Sequence, residues 1–164
     1  MNANLSPELR AQGEAVFQTL CRALGEDNFH YRTDRNDDGS LVAFGGVRLK
    51  SFPTTLIAVV RPQIWLVSFL AKIPCTVPES RRFEVAAAVA AANYNRHEGR
   101  FDYNLGTGEI SWCMTENYYD STPGKGLYQL MLANTVAMLN DVGGPLAEVA
   151  EGKITLAEFV AKIR

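Results

Sequence analysis

The segment Asp34-Arg35-Asn36-Asp37-Asp38-Gly39 has the D-x-N-x-D-G spacing that opens a calcium loop, where alternate oxygens converge on a hard cation. Such a loop closes on a bidentate glutamate at its twelfth position, which here is Gly45, and the flanking residues alternate like strands rather than helices. Asp, Asn and Gly are equally the residues of a tight turn between strands, and that is the expectation for Asp34–Ser40. His30 and His97 are the only histidines, and neither has a local partner motif, so they imply no metal site and no catalytic triad. The three cysteines, Cys21, Cys75 and Cys113, are odd in number and lack C-x-x-C spacing. That pattern reads as free thiols in a reducing compartment rather than a disulfide framework or a zinc site. Cys75 stands just ahead of an expected helix N-terminus, a place that can lower a thiol pKa. The other reading of Cys75 and Cys113 is as small, soft side chains in partly buried sites.

Three further clusters carry polar chemistry on paper. Thr122-Pro123-Gly124-Lys125-Gly126 lacks the phosphate-loop spacing, and Gly126 follows the lysine where Ser or Thr is required. It reads as a flexible helix entry. Asp102 and Glu109 fall on the wet side of an alternating hairpin, where two carboxylates stay solvated instead of acquiring separated pKa values. Tyr118-Tyr119 lies in the polar run Glu116–Asp120, and two adjacent tyrosines do not both bury easily, so one is available to a partner. Packing over the sheet edge is the alternative. No catalytic residue, metal ligand or cofactor is expected from this inventory.

The elements that hold these residues are legible from periodicity. Ser6 and Pro7 open a first helix bearing Leu9, Val16, Leu20 and Leu24, which Gly25 is expected to stop. A strand at Phe29–Thr33 and a second at Leu41–Leu49 follow, with Gly45-Gly46 predicting a bulge or bend. The hairpin Thr54–Val60 and Ile64–Leu70, turned at Arg61-Pro62-Gln63, is apolar on both faces. Pairing Val60 with Trp65 groups Leu56, Ala58, Val60, Trp65, Val67 and Phe69, with Ile57, Val59, Leu66 and Leu70 opposite, so both faces need cover. A helix begins near Pro78, with Thr76-x-x-Glu79 as its capping box and Phe83, Ala87, Ala90 and Tyr94 as one stripe beside Val85, Val89 and Ala92. The next hairpin is expected to alternate: Phe101, Tyr103, Leu105, Ile110, Trp112 and Met114 inward, Arg100, Asp102, Asn104, Glu109, Ser111 and Thr115 outward. A helix over Leu127–Val142 stops at Gly143-Gly144-Pro145, and a short turn Leu146–Ala150 and a helix capped by Thr155-x-x-Glu158 finish the chain. The order α-β-β-β-β-α-β-β-α predicts one α+β domain over residues 1–164, an antiparallel sheet with helices mainly on one face.

Pro74, Pro78-Glu79-Ser80-Arg81-Arg82, Asn93-Tyr94, Gly99-Arg100-Phe101-Asp102-Tyr103, Gly108-Glu109-Ile110 and Glu151-Gly152 occur in an order that resembles the YbjN-like family of bacterial sensory transduction regulators. The resemblance covers roughly residues 10–152 and is densest between Pro74 and Glu109. It implies the fold that this family shares with the small chaperones of type III secretion, and a regulatory or chaperone-like role. Its motifs are structural punctuation rather than catalytic signatures.

A net charge of −2, with no basic run, argues against nucleic acid as a partner. Arg61-Pro62-Gln63 interrupts the longest apolar stretch, Thr54–Ala71, so neither half is long enough for a membrane helix, and the first residues lack a signal peptide's charged start and apolar core. A cytoplasmic, non-enzymatic interaction module is therefore expected, with a polypeptide partner. Leu56, Val60, Trp65, Val67, Phe69, Tyr118 and Tyr119 are the expected contacts. A homodimer built at least partly on one face of the Thr54–Leu70 hairpin is expected too. The alternative is a domain that binds a small ligand or a cation. Calorimetric titration with calcium is expected to show no binding tighter than about 1 mM; micromolar affinity abolished by Asp34→Ala would contradict the turn reading.

Overall fold

Residues 5–163 are described by a computed structural model. Helix α1 (Pro7–Glu26) begins as its sequence dictates, with the Ser6 hydroxyl accepting the Leu9 amide at 3.3 Å and Pro7 in the first turn. Val16, Leu20 and Leu24 are fully buried on its inner face. Its end departs from expectation. Gly25 stays helical, and the left-handed residue is Asn28 at φ 56°, after which Phe29 donates its amide back to the Leu24 carbonyl. Asparagine tolerates that conformation better than most side chains, so the chain leaves the helix three residues later than Gly25 predicted.

Six strands form one antiparallel sheet: β1 (Arg32–Arg35), β2 (Leu41–Arg48), β3 (Pro53–Arg61), β4 (Leu66–Lys72), β5 (Arg100–Asn104) and β6 (Glu109–Asn117), in the order β1-β2-β3-β4-β6-β5. The class is α+β, as expected. Tyr31 turns its hydroxyl to the Cys21 carbonyl at 3.0 Å, tying the lead-in to α1, and β1 starts only at Arg32. Asp34–Ser40 is a hairpin turn, closed by Asn36 N–H to the Ser40 carbonyl at 2.9 Å, with Gly39 at φ 84°. Gly45-Gly46 makes no bulge, because β2 pairs with β3 without interruption from Leu41 to Arg48. Glycine is needed at 45 for another reason: a Cβ there would lie 2.2 Å from the His30 carbonyl oxygen.

In the β3–β4 hairpin Val60 faces Val67 rather than Trp65, since the turn is a full 3-10 turn, Pro62–Ile64, ending in a left-handed Trp65 at φ 51°. The register slips by two residues, and because side chains alternate with period two, the faces survive. Leu41, Ala43, Leu56, Ala58, Val60, Val67, Phe69, Ala71, Phe101, Ile110, Trp112 and Met114 all point to the same side and form the core with the helices. Strand β5 ends at Asn104, so Leu105 falls in the turn, 46% exposed, instead of facing inward.

The helices are α2 (Arg82–Asn93), α3 (Lys125–Met138), α4 (Gly144–Ala150) and α5 (Leu156–Lys162) besides α1. The expected Thr76 capping box does not form; a 3-10 turn at Glu79–Arg81 leads into α2, and Arg81 bonds the Val149 carbonyl at 3.1 Å. Of the two apolar lines of helix α2, the one with Val85, Ala88, Val89 and Ala92 is buried, while Phe83 and Tyr94 are 80% and 77% exposed. Gly143-Gly144-Pro145 does not stop the third helix. A wider π turn, Leu139–Gly143, carries it into α4, where Pro145 sits harmlessly in the first turn. The Thr155/Glu158 capping box of α5 is present in both directions.

Trp112 joins the layers. Its fully buried indole donates Nε1–H to the Thr135 hydroxyl of α3 at 3.0 Å and meets Phe101 edge-on at a centroid distance of 5.0 Å. Trp112→Ala is expected to cost about 3–5 kcal/mol in denaturant melts. Thr135→Val, which strands the indole N–H, should cost about 1–3 kcal/mol. Glu109→Ala on the opposite face should leave the midpoint unchanged, and a reversed ranking would refute the face assignment.

Candidate functional site

The core occupies one side of the sheet, and among the described residues no helix covers the other. Register fixes what that side presents. One row crosses all six strands in the order Arg32, Phe44, Ile57, Leu70, Cys113, Arg100. The next runs Asp34, Val42, Val59, Ser68, Thr115. Phe44, Ile57, Leu66 and Leu70 are half-buried, whereas Val42, Val59 and Cys113 are shielded by their neighbours alone. The polar members form a chain: Arg61 Nη1 donates to the Ser68 hydroxyl at 3.0 Å, which meets Thr115 at 3.3 Å, which meets the Cys113 sulfur at 3.4 Å. A central apolar patch thus carries its own satisfied hydroxyls.

The edges of the sheet are poor templates for a further strand. Asn93, at the end of α2, donates its side-chain N–H to the Phe101 carbonyl and accepts the Phe101 amide, both at 2.8 Å. Its amide thereby imitates a neighbouring strand on edge strand β5. At the other edge β1 is short, exposed and charged, and Arg35 is paired with Glu14. The Asn93-Tyr94 punctuation is therefore an edge device, which leaves the face as the accessible surface.

A groove of about 870 Å³ continues the face at the far end of β3, β4 and β6, with Pro53, Ile57, Leu70, Ile73, Cys75 and Ile110 among its walls. Lys72 and Glu109 pair across its rim. The Lys72 ammonium, with the Thr107 hydroxyl, holds the Glu109 carboxyl below the usual range. Cys75 is half-buried here, and burial, reinforced by Glu151, pushes its thiol up. That fits a small side chain in a partly buried site; α2 begins only at Arg82, seven residues on, so Cys75 does not stand at its N-terminus. Asp102 pairs with Arg100 at 2.7 Å, so the two hairpin carboxylates hold separate cations instead of each other.

The expected partner contacts divide. Leu56, Val60, Val67 and Phe69 are fully buried on the helix side, and Tyr118 is buried too, so none can touch a partner; the exposed side of the hairpin is the one bearing Ile57, Leu66 and Leu70. Trp65 and Tyr119 are brought together, edge to face at 4.9 Å, with Tyr119 64% exposed. His30 and His97 are exposed and belong to different elements' flanks. Lys125 pairs with Glu26 at 2.7 Å, as befits a helix entry. Among the described residues no group of three His, Cys, Asp or Glu is placed to hold a metal ion, and no helix is long and apolar enough to cross a membrane. Phe44, Val42 and Cys113 were not foreseen on this surface; the alternation of Leu41–Leu49 held the signal for the first two. No protein-family model, curated protein or solved structure matches the chain.

Burial raises the Tyr118 phenol to about 12, and that of Tyr128 further, with Tyr118 adding to the effect. The folded state therefore binds these protons more tightly than the unfolded chain, whose tyrosines ionise near pH 10. Stability is complete below pH 10 and is lost as pH rises through the folded values, by about 1.4 kcal/mol per pH unit for each phenol. Urea midpoints between pH 9 and 11.5 should show that fall, and Tyr118→Phe should make it shallower.

Proposed function

We propose that this chain is a non-enzymatic protein-interaction module, chaperone-like or regulatory in use, which docks a polypeptide on the uncovered face of its sheet. The observation that carries the reading is the row Phe44, Ile57, Leu70, Cys113, apolar across four adjacent strands with no layer over it among the described residues. Exposed apolar patches rimmed by polar residues mark interaction sites. Six strands about 4.8 Å apart and some seven residues long offer roughly 670 Å², close to one partner's share of a standard interface. Edges that are poor templates favour docking on the face over strand addition. The resemblance of Pro74–Glu109 to the YbjN-like regulators points the same way, and the three free thiols suit the cytoplasm.

A homodimer belongs to the same proposal, with its contact placed on α2, since one face of the Thr54–Leu70 hairpin lies under helices and the other is given to the docked polypeptide. Phe83 and Tyr94 are the most exposed large apolar side chains, and Ala87 and Ala90 lie between them on one line of the helix. That line is symmetric about its midpoint, so a two-fold axis there would set Phe83 of one copy against Tyr94 of the other. A second reading, a small-ligand regulatory domain, is favoured by the groove beside Cys75, whose about 870 Å³ falls in the usual range for such sites. A thermal-shift screen returning a small stabilising ligand would select it.

A photo-crosslinking residue placed at Ile57 is expected to capture a polypeptide partner, whereas one at Gln18 on the outer side of α1 should not. Equal capture at both positions would remove the reading. Light scattering should give up to twice 18.1 kDa at high concentration, returning to the monomer mass in Phe83→Glu.

A further inference from the structure

Alternation assigns charges to the uncovered face as firmly as it assigns apolar residues. Arg32, Arg48, Arg61, Lys72 and Arg100 point to that side, against Asp34, Asp102 and Glu109. This face is therefore net positive in a chain whose formal charge is −2. The acids do not cancel the excess. Lys72 is held by Glu109 and Arg100 by Asp102, which leaves Asp34, among the described residues, as the one unpaired acid of the face against three arginines. The Asp38 carboxylate of the β1–β2 turn, held low first by the Ser40 hydrogen bonds, also lies within the field of Arg61. Arg32, Arg48 and Arg61 form no ion pair among the described residues.

These three arginines frame the apolar patch. Arg32 stands beside Phe44 at the β1 edge, Arg48 opposite Pro53 at one end of the β2–β3 pair, and Arg61 opposite Leu66 at the other end. Pro53 and Arg61 are eight residues apart on β3, which at about 3.3 Å per residue is roughly 26 Å. A helix of about 18 residues spans that length. Guanidinium groups bind carboxylates bidentately and are weakly hydrated, so three of them around a dry patch discriminate by charge where leucines alone would not.

We infer that the segment docked on this face is an acidic amphipathic helix, its apolar stripe on Phe44, Ile57 and Leu70 and its carboxylates on Arg32, Arg48 and Arg61. This inference rests on the docking reading above and goes beyond it in naming the partner's chemistry.

The test uses the full chain and two labelled synthetic helical peptides of about 18 residues, one with glutamates and one with lysines flanking the same leucine stripe. Fluorescence anisotropy should show the glutamate peptide binding at least about tenfold tighter at low salt, with the preference shrinking as salt screens it. The combined Arg32→Glu, Arg48→Glu and Arg61→Glu variant should reverse the preference. Arg32 and Arg48 are exposed, whereas half-buried Arg61 also donates to Ser68. The Arg32→Glu, Arg48→Glu double variant, which should weaken the preference in the same direction, is therefore measured beside it, and an unchanged thermal midpoint confirms the fold of each. Ile57→Glu should abolish binding of both peptides. Equal binding of the two peptides, both lost in Ile57→Glu, would overturn the acidic partner and leave the docking face standing. Binding of neither peptide would overturn it too. So would phosphatidylcholine–phosphatidylserine vesicles, or a second copy of the chain, occupying the face in the peptide's stead.

Discussion

A tryptophan that is wholly buried has one N–H to satisfy, and much of this molecule is arranged so that Trp112 can do so. The Thr135 hydroxyl that accepts it is itself inaccessible, which locks the rotation of α3 over the sheet. The ring also dictates how the chain enters β5. Gly99, at φ 65°, lies so close that a Cβ would come within 2.3 Å of the indole, so both the backbone angle and the space demand glycine. From there Phe101 packs on the ring and lends its peptide group to Asn93, which ties the end of α2 to the edge of the sheet. One buried donor thus connects the last hairpin, α2 and α3.

The second constraint is supply of helix. A six-stranded sheet is about 29 Å wide, room for roughly three helices about 10 Å across. Helices α1, α3 and α2 supply one such layer, and α4 and α5 pack against α2 rather than crossing to the other side. The other side consequently keeps apolar residues at its centre but tolerates water through its hydroxyl chain and its charged rim. Asymmetric cover, together with Asn93 on one edge and the short, charged β1 on the other, leaves that face as the accessible side of the sheet. The groove beside Cys75 extends that face, and burial pushes the thiol of Cys75 up.

The amino-acid sequence by itself determined what depends on neighbours along the chain. Ser6 and Thr155 cap helices because a hydroxyl reaches an amide three residues on, and the hairpins alternate because a strand has no other option. Even the register error at Val60 kept every face, since a slip of two preserves parity. Tertiary structure decided the rest. Both sides of the Thr54–Leu70 hairpin are apolar, so nothing local says which one the helices will choose, and Leu56, Val60, Val67 and Phe69 went under them. An alanine-rich helix has too little contrast around its circumference to fix its rotation, so α2 turned Phe83 and Tyr94 outward. Gly45 and Asn93 look like a bulge and a helix end in sequence. Their roles come from backbones distant in the chain, the His30 carbonyl and the Phe101 peptide, which only folding brings within reach.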